Sequence, residues 1–213
     1  MQILNKIADR NIAIGTPCYG GVTANYANSL AASVSLFAKY NINLFPILLS
    51  HQSVIQMARN RMLKEIIISD ADDLVWIDSD ISWTTEQFFH LINSPYEVTT
   101  GAYLLTDGTT TIHLWNKGPA SRIELLNIKE PLKVQSCGFG FIAMKKGVFE
   151  RMPRPWFNHE FAKVGVDKNG RDIIDCVGED ISWCIKAYRE KIDIWFDPRI
   201  LVTHNKTMPL FFR

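Results

Sequence analysis

The sequence predicts an α/β fold with a mostly parallel central sheet flanked by helices and a smaller mixed β region in the second half. The first observation is that short apolar runs alternate with helix-spaced segments, as in βαβ units. The second is that an acidic pair follows the apolar run "LVWI" directly. The third is size: 213 residues, 47% of them hydrophobic, suffice for one large core. We predict one domain over 1–213.

The first half contains four predicted strands that alternate with three predicted helices. The run "NIAIGTP" ends in Gly and Pro, which indicates a buried strand that leads into a loop. Pro46 in the second strand favours an edge position or a bulge, because proline lacks a backbone donor. Thr84 or Thr85 is a plausible N-cap for the third helix. The strands are predicted at 11–17, 42–50, 72–77 and 96–105, and the helices at 23–40, 52–68 and 84–93.

The second half is less regular. The glycine-punctuated segment 134–146 is predicted to be a strand, and "IDIWFDP" and "ILVTH" are predicted to be two closing strands. The segment 178–191 is predicted to be a helix whose first turn carries two acids, which favours the helix dipole. The segment 105–132 matches no pattern that we can assign.

Composition and charge exclude several classes of partner. The net charge of +1 provides no long-range attraction for nucleic acid or an anionic membrane. The N-terminus lacks a signal-peptide core, and the apolar run 29–38 is too short to span a bilayer. The four cysteines form no CxxC pair, so we expect reduced thiols in a cytoplasmic protein, in the host cytoplasm if the source is viral.

Asp78 and Asp80 stand two residues apart where a buried strand should end. At about 4 Å two like charges repel by roughly 4 kcal/mol at an effective dielectric near 20, so a positive partner is expected. Mg²⁺ or Mn²⁺ suits carboxylate oxygens and is typically completed by substrate phosphate. The alternative is an Asx-type turn or a helix cap, which Asp and Ser form readily.

Other polar residues are expected at the same edge of the sheet, because ligands of open α/β sheets bind at the carboxyl ends of strands. Glu179 and Asp180 begin a predicted helix, where they either complement its dipole or direct a carboxylate at a reacting hydroxyl. His204 follows the last strand and is either a metal ligand or an ordinary surface histidine. Arg59 and Arg61 either lie on a solvated helix face, or one of them meets a diphosphate.

These features together resemble the GT-A fold of nucleotide-sugar-dependent glycosyltransferases, in order over most of the chain. The resemblance extends to small viral members, including the glycosyltransferase domain of a large chlorella virus that is associated with glycosylation of its major capsid protein. The segments that carry it are "IAIGTPCYGG", "ARNRML", "LVWIDSDI", "GAYLL", "CGFGFIAMKKGVFE" and "GEDISWCIKAYREKIDIWFDPRILVTH".

The resemblance implies transfer of a hexose or deoxyhexose from a UDP-sugar to a glycan or glycoprotein acceptor, with Mn²⁺ or Mg²⁺ as cofactor. It implies a nucleotide-binding part at about 1–104 and an acceptor and catalytic part at about 105–213. It is also compatible with this chain being the N-terminal domain of a longer polypeptide. The implied roles are as follows: catalytic, Asp180 and Glu179; nucleotide-binding, Thr16, Pro17, Tyr19, Arg59, Asp78 and Ser79; metal-binding, Asp78, Asp80 and His204; donor or acceptor sugar, Tyr103, Gly138 and Phe139.

Three other functions fit parts of the pattern. "WIDSDIS" also resembles the nucleophile motif of haloacid-dehalogenase-like phosphatases, which would use Asp78 and Asp80, although that motif belongs on a first strand. A nucleotidyltransferase would need a glycine-rich loop with a basic residue after the first strand, and "TPCYGGVTANY" has no basic residue. A non-catalytic nucleotide-sugar-binding module is the third. The transferred sugar, the acceptor and the stereochemistry stay open.

Overall fold

The structure is a computed structural model that describes residues 9–115 and 117–206. Within these residues a seven-stranded sheet forms the centre of the protein, in the order β2-β1-β3-β10-β5-β13-β8. Five strands run parallel, whereas β10 and β8 run antiparallel to their neighbours. The strands are β1 (Asn11–Pro17), β2 (Asn43–Leu49), β3 (Asp73–Ile77), β5 (Val98–Ala102), β8 (Leu132–Val134), β10 (Phe141–Lys145) and β13 (Ile194–Leu201).

Six α-helices connect or cover these strands: α1 (Ala24–Phe37), α2 (Ile55–Ile67), α3 (Thr85–Ile92), α4 (Arg122–Asn127), α5 (Val148–Arg151) and α6 (Glu179–Arg189). The Thr23 hydroxyl accepts a hydrogen bond from the Tyr26 backbone N–H and caps α1. Thr84 caps α3 in a reciprocal capping box with Gln87, one of the two predicted caps. Local sequence therefore sets where these helices begin.

The central strands are buried on both faces, which parallel sheets require. Alternate residues of β1 enter different clusters: Ile12 and Ile14 pack on one face, and Ala13 packs on the other. The same alternation in β3 places Val75 and Ile77 on the first face and Leu74 and Trp76 on the second. The predicted mostly parallel α/β sheet is thus confirmed.

Smaller antiparallel elements occupy the second half, as predicted. A three-stranded sheet contains β6 (Ile112–Leu114), β7 (Gly118–Pro119) and β9 (Ser136–Cys137). An exposed hairpin, β11 (Glu160–Val166) and β12 (Asp172–Val177), directly precedes α6. Two short strands, β4 (Ile81–Ser82) and β14 (Thr203–His204), pair with each other beside the sheet.

Several predicted elements differ from the structure. The segment 134–146 is not one strand: β9 and β10 are separated by a glycine-containing turn, and they belong to different sheets. "IDIWFDP" and "ILVTH" form one strand, β13, and the short β14, because Pro198 is accommodated where the pairing of β13 with β5 shifts register. The segment 105–132 contains β6, β7 and α4. Pro46 does lie in an edge strand, β2, as predicted.

Candidate functional site

The predicted polar residues meet at the edge of the sheet where the parallel strands end. β3 ends just before Asp78, and β5 ends just before Tyr103. Because helices that return between parallel strands begin at this edge, the first turns of α2 and α6 also lie here. Arg59 lies just after the first turn of α2, and Glu179 and Asp180 are the first two residues of α6. The topology therefore gathers residues that are up to 120 positions apart in the chain.

Arg59 forms the centre of the cluster. Its Nη2 donates to Asp78 Oδ1 at 2.9 Å, and its Nη1 donates to Glu179 Oε1 at 3.1 Å. The residue is 1% exposed. Its guanidinium lies over the rings of Trp76, Phe139 and Phe157, at 5.8, 5.2 and 5.8 Å from their centroids. Arg59 therefore joins the two acidic motifs from beneath the site, and its predicted contact with a nucleotide stays a prediction.

The electrostatics of this bridge are strongly perturbed. Burial raises the pKa of the Asp78 carboxyl, the Arg59 charge opposes that rise, and the charges of Asp80 and Asp180 add to it. Burial likewise raises the pKa of Glu179. The charge of Arg59 opposes this rise, and the charge of Asp180 adds to it. Strong pKa perturbation at a strand edge is typical of functional sites, although buried ion pairs with a structural role show it as well.

Asp80 faces His204 across the short β4–β14 pairing, which places the His204 backbone opposite Ile81. His204 Nε2 lies 3.3 Å from Asp80 Oδ2, and His204 Nδ1 lies 2.8 Å from the Leu104 carbonyl oxygen. A carbonyl accepts only, so Nδ1 carries the proton of that hydrogen bond. With Nδ1 engaged by the carbonyl, Nε2 is the ring nitrogen that faces Asp80 and the one available to a metal ion.

A positively charged side chain also contacts Asp80 of the Asp80–His204 pair. The Lys206 ammonium lies 2.6 Å from the same Oδ2 of Asp80. In the described ranges 9–115 and 117–206, no group of three or more His, Cys, Asp or Glu side chains is arranged to hold a metal ion. Asp80 and His204 fit a cation that takes its remaining ligands from a diphosphate and water, as Mg²⁺ commonly does.

The residues predicted to bind the nucleotide differ in accessibility. The Thr16 hydroxyl is fully buried and shares a 2.6 Å hydrogen bond with the Tyr26 hydroxyl, and its role in nucleotide binding stays a prediction. Pro17, at the end of β1, is buried as well. Tyr19, in the loop beyond, is 74% exposed. The Ser79 carbonyl oxygen accepts a hydrogen bond from the Thr23 backbone N–H, which connects the loop after β3 to the start of α1.

The three residues predicted to contact sugars line the floor beneath the site. The Tyr103 hydroxyl accepts from the Gly140 N–H at 3.1 Å, and its ring meets the His204 ring edge-on at 5.1 Å. A Cβ on Gly138 would come within 2.7 Å of that hydroxyl, so glycine permits the close approach. Phe139 is buried against Arg59. Tyr103 and Phe139 thus support the site from below, because both side chains are covered.

Asp180 is half-buried, and its Oδ1 accepts from the Ile181 N–H at 2.8 Å. Its charge acts on Asp78, on Tyr103 and on His113, which places its carboxylate within electrostatic range of all three. Burial raises the pKa of Tyr103, with Asp78 and Asp180 contributing, so this phenol stays neutral. Because Glu179 is buried and Asp180 is half-buried, Asp180 is the more accessible of the two α6 acids.

Sequence reasoning missed three features of the site. Lys206 stands two residues after His204 in "THNK", a spacing that would have indicated a shared location in an extended segment. The Leu104 carbonyl has no sequence signal. A cavity of about 390 Å³ opens beside His204, and its volume is within the size range of small-molecule sites. Its lining consists of Leu104, Leu105, Thr106, Val202, Thr203, His204 and Lys206.

Comparisons with known proteins bear mainly on the fold. No protein-family model matches the chain, and no curated protein matches it significantly. The crystal structure of A197 from STIV is similar over 96% of this chain and 98% of that one, with a TM-score of 0.57 and 17% identity. At this identity the similarity shows a shared fold.

Two further solved structures are more distant. TarS 1–349 of S. aureus matches 92% of this chain and 60% of its own length, with a TM-score of 0.49 and 14% identity. The inositol-1-phosphate CTP transferase from T. maritima matches 92% and 89%, with a TM-score of 0.45 and 9% identity. At these scores neither adds an argument about function.

Within the described residues, no helix is long and apolar enough to cross a membrane.

Proposed function

We propose that this protein is a metal-dependent glycosyltransferase of the GT-A type. It transfers a hexose or deoxyhexose from a UDP-sugar to a glycan or glycoprotein, of which a viral capsid glycan is the case that the sequence resemblance implies. The observation that carries the proposal is the facing pair of Asp80 and His204, with His204 oriented by the Leu104 carbonyl. A pair of this kind at the carboxyl edge of an α/β sheet suits a cation bound to a diphosphate.

Asp80 and His204 would hold Mn²⁺ or Mg²⁺, and the ion would offset the charge that builds on the departing UDP. Arg59 fixes one oxygen of Asp78 and leaves the other for the ribose or for a metal-bound water. The exposed Tyr19 is available to stack on the uracil. In an inverting reaction, Asp180 would accept the proton of the acceptor hydroxyl. In a retaining one it would bind sugar hydroxyls.

The rival phosphatase fits the site less well. Its acidic motif belongs on a first strand, whereas β1, α1, β2 and α2 precede β3 here. A non-catalytic binding module remains compatible with the donor side of the site, and acceptor transfer separates it from an enzyme.

Calorimetric titration of UDP with and without Mn²⁺ tests the proposal. We expect UDP affinity to fall by at least about tenfold, about 1.4 kcal/mol, when Mn²⁺ is chelated. Asp80→Asn should reproduce this loss. Asp70→Asn is the matched control, because Asp70 is an exposed acid before the start of β3, at the other end of that strand.

Equal UDP affinity with and without the metal would contradict the metal site. Turnover of para-nitrophenyl phosphate that disappears in Asp78→Asn would favour the phosphatase. UDP binding without sugar transfer to any acceptor would favour the binding module.

A further inference from the structure

An exposed aromatic pair lies on the surface at the C-terminal end of α6, the helix whose first turn carries Glu179 and Asp180. Trp115, directly after β6, is 38% exposed, and Tyr188, in the last turn of α6, is 63% exposed. Their ring centroids are 5.3 Å apart, and the rings are tilted by 56°. Neither ring is needed to fill the core. We propose that this pair, the aromatic platform, binds a pyranose ring of a neutral glycan.

Helix α6 carries both Tyr188 of the platform and Asp180 of the proposed reaction centre. Tyr188 lies eight residues after Asp180 on the same helix, which corresponds to about 12 Å along its axis and roughly 80° around it. His113 is the middle residue of β6, and Trp115 follows the end of that strand. Burial lowers the pKa of His113, and the charge of Asp180 opposes that shift, so the imidazole is within electrostatic range of the acid. An acceptor that reaches from Asp180 to Tyr188 has to span about 12 Å along the helix, which a short oligosaccharide can do.

The chemistry of the surface favours a carbohydrate. Pyranose rings present C–H faces that pack on aromatic rings, while their rim of hydroxyls needs polar partners. Trp and Tyr provide rigid apolar faces with a polar edge, and His113 and Asp180 provide hydrogen-bonding groups nearby. The inference deepens the proposed function and rests on it, because Asp180 defines the reacting end of the acceptor.

A second copy of this chain fits the surface less well. An aromatic side chain presents about 150–250 Å² in total, so the exposed parts of these two amount to on the order of 200 Å². A stable protein–protein interface requires about 800 Å² from each partner. The platform is large enough for one or two sugar rings.

The test uses saturation-transfer difference NMR on the whole protein with a panel of neutral tetrasaccharides built from glucose, galactose, mannose or xylose. We expect at least one to bind the unaltered protein, and Trp115→Ala and Tyr188→Ala each to weaken that binding by at least tenfold. Trp115→Phe and Tyr188→Phe should retain it within about threefold, because the aromatic face persists. Phe161→Ala is the matched control, since Phe161 is an exposed aromatic residue on the β11–β12 hairpin.

The outcomes separate this inference from the proposed function. No binding by any member of the panel, or binding that neither alanine variant weakens, would overturn the platform. A dimer in sedimentation velocity that dissociates in Trp115→Ala would also overturn it. UDP titration with Mn²⁺ on the same samples reports on the donor site alone. If the unaltered protein binds a sugar of the panel but does not bind UDP, the proposed transferase function is contradicted and the platform stands as a glycan-binding surface.

Discussion

Replacement of Arg59 by methionine tests whether the buried bridge holds the two acidic motifs together. Methionine keeps a long unbranched side chain among Trp76, Phe139 and Phe157 but removes both charged hydrogen bonds. Asp78 and Glu179 would then keep their charges without a partner. Removal of one partner of a buried ion pair costs about 3–5 kcal/mol.

The partial exposure of one acid lowers the expected magnitude. The Asp78 side chain is 29% exposed, whereas that of Glu179 is 11% exposed, so water can solvate part of the unpaired charge. We therefore expect Arg59→Met to lower the free energy of unfolding by about 3 kcal/mol, near the lower end of that range. For a domain of this size this corresponds to a fall in Tm of about 6–12 °C.

Urea denaturation followed by circular dichroism measures the change, with the midpoint shifting and the m-value unchanged. Arg61→Met is the matched control on the same helix, because the Arg61 side chain is exposed and, among the described residues, donates a hydrogen bond to the Gln52 side chain alone, at 3.1 Å. It should stay within about 0.5 kcal/mol of the unaltered protein.

A charge-removal variant then distinguishes lost charge pairing from lost packing. Asp78→Asn and Glu179→Gln added to Arg59→Met should recover much of the stability, because both unpaired charges are gone. Equal stability of the Arg59→Met and Arg61→Met variants would refute the bridge, and so would a loss that the two amide substitutions do not reduce.

Three further predictions follow from the same contacts. Asp180→Asn should keep UDP affinity within about twofold and lower acceptor transfer by at least about a hundredfold if Asp180 is a general base, with an inverted product by NMR; a retained anomeric configuration would reassign Asp180 to sugar binding. Gly140→Ala should destabilise the fold by about 1–3 kcal/mol in urea, because its Cβ would lie 2.5 Å from the Tyr103 hydroxyl oxygen, whereas Gly165→Ala, with open space around it, should be neutral. A maleimide should modify Cys176 alone in the native protein, since the other three thiols are buried, and peptide mass spectrometry that finds rapid labelling at a second cysteine would contradict that burial.

Much of the first half could be predicted because its signals are local. Apolar runs of five to seven residues identify β1, β2 and β3, and the Thr84–Gln87 capping box identifies the start of α3. The second half was harder, because β9 and β10 pair with strands far back in the chain, β9 with β6 and β10 with β3 and β5. Their order in space depends on partners that no local pattern specifies.

The candidate site divides in the same way. Residue type and position at a strand end or a helix start were enough to select one group, which consists of Asp78, Asp80, Glu179, Asp180 and His204. A carboxylate at such a position has few uses other than capping, charge pairing or ligand binding. Their metal and catalytic roles stay predictions. The sequence selected Arg59, but its ion pairs with Asp78 and Glu179 have no sequence signal, and its predicted nucleotide contact stays a prediction.

The sequence by itself determined the class of fold, the edge of the sheet where chemistry is possible and the acids that gather there. Periodicity and chain direction carry that information, since parallel strands bring their carboxyl ends together whatever the details. Tertiary structure alone decided that Arg59 is covered by three aromatic rings and bound to acids from two motifs. It alone turned His204 toward Asp80 through a backbone carbonyl and brought Trp115 against Tyr188. These are contacts between residues far apart in the chain, and burial and hydrogen-bond geometry fix them only once the core has packed.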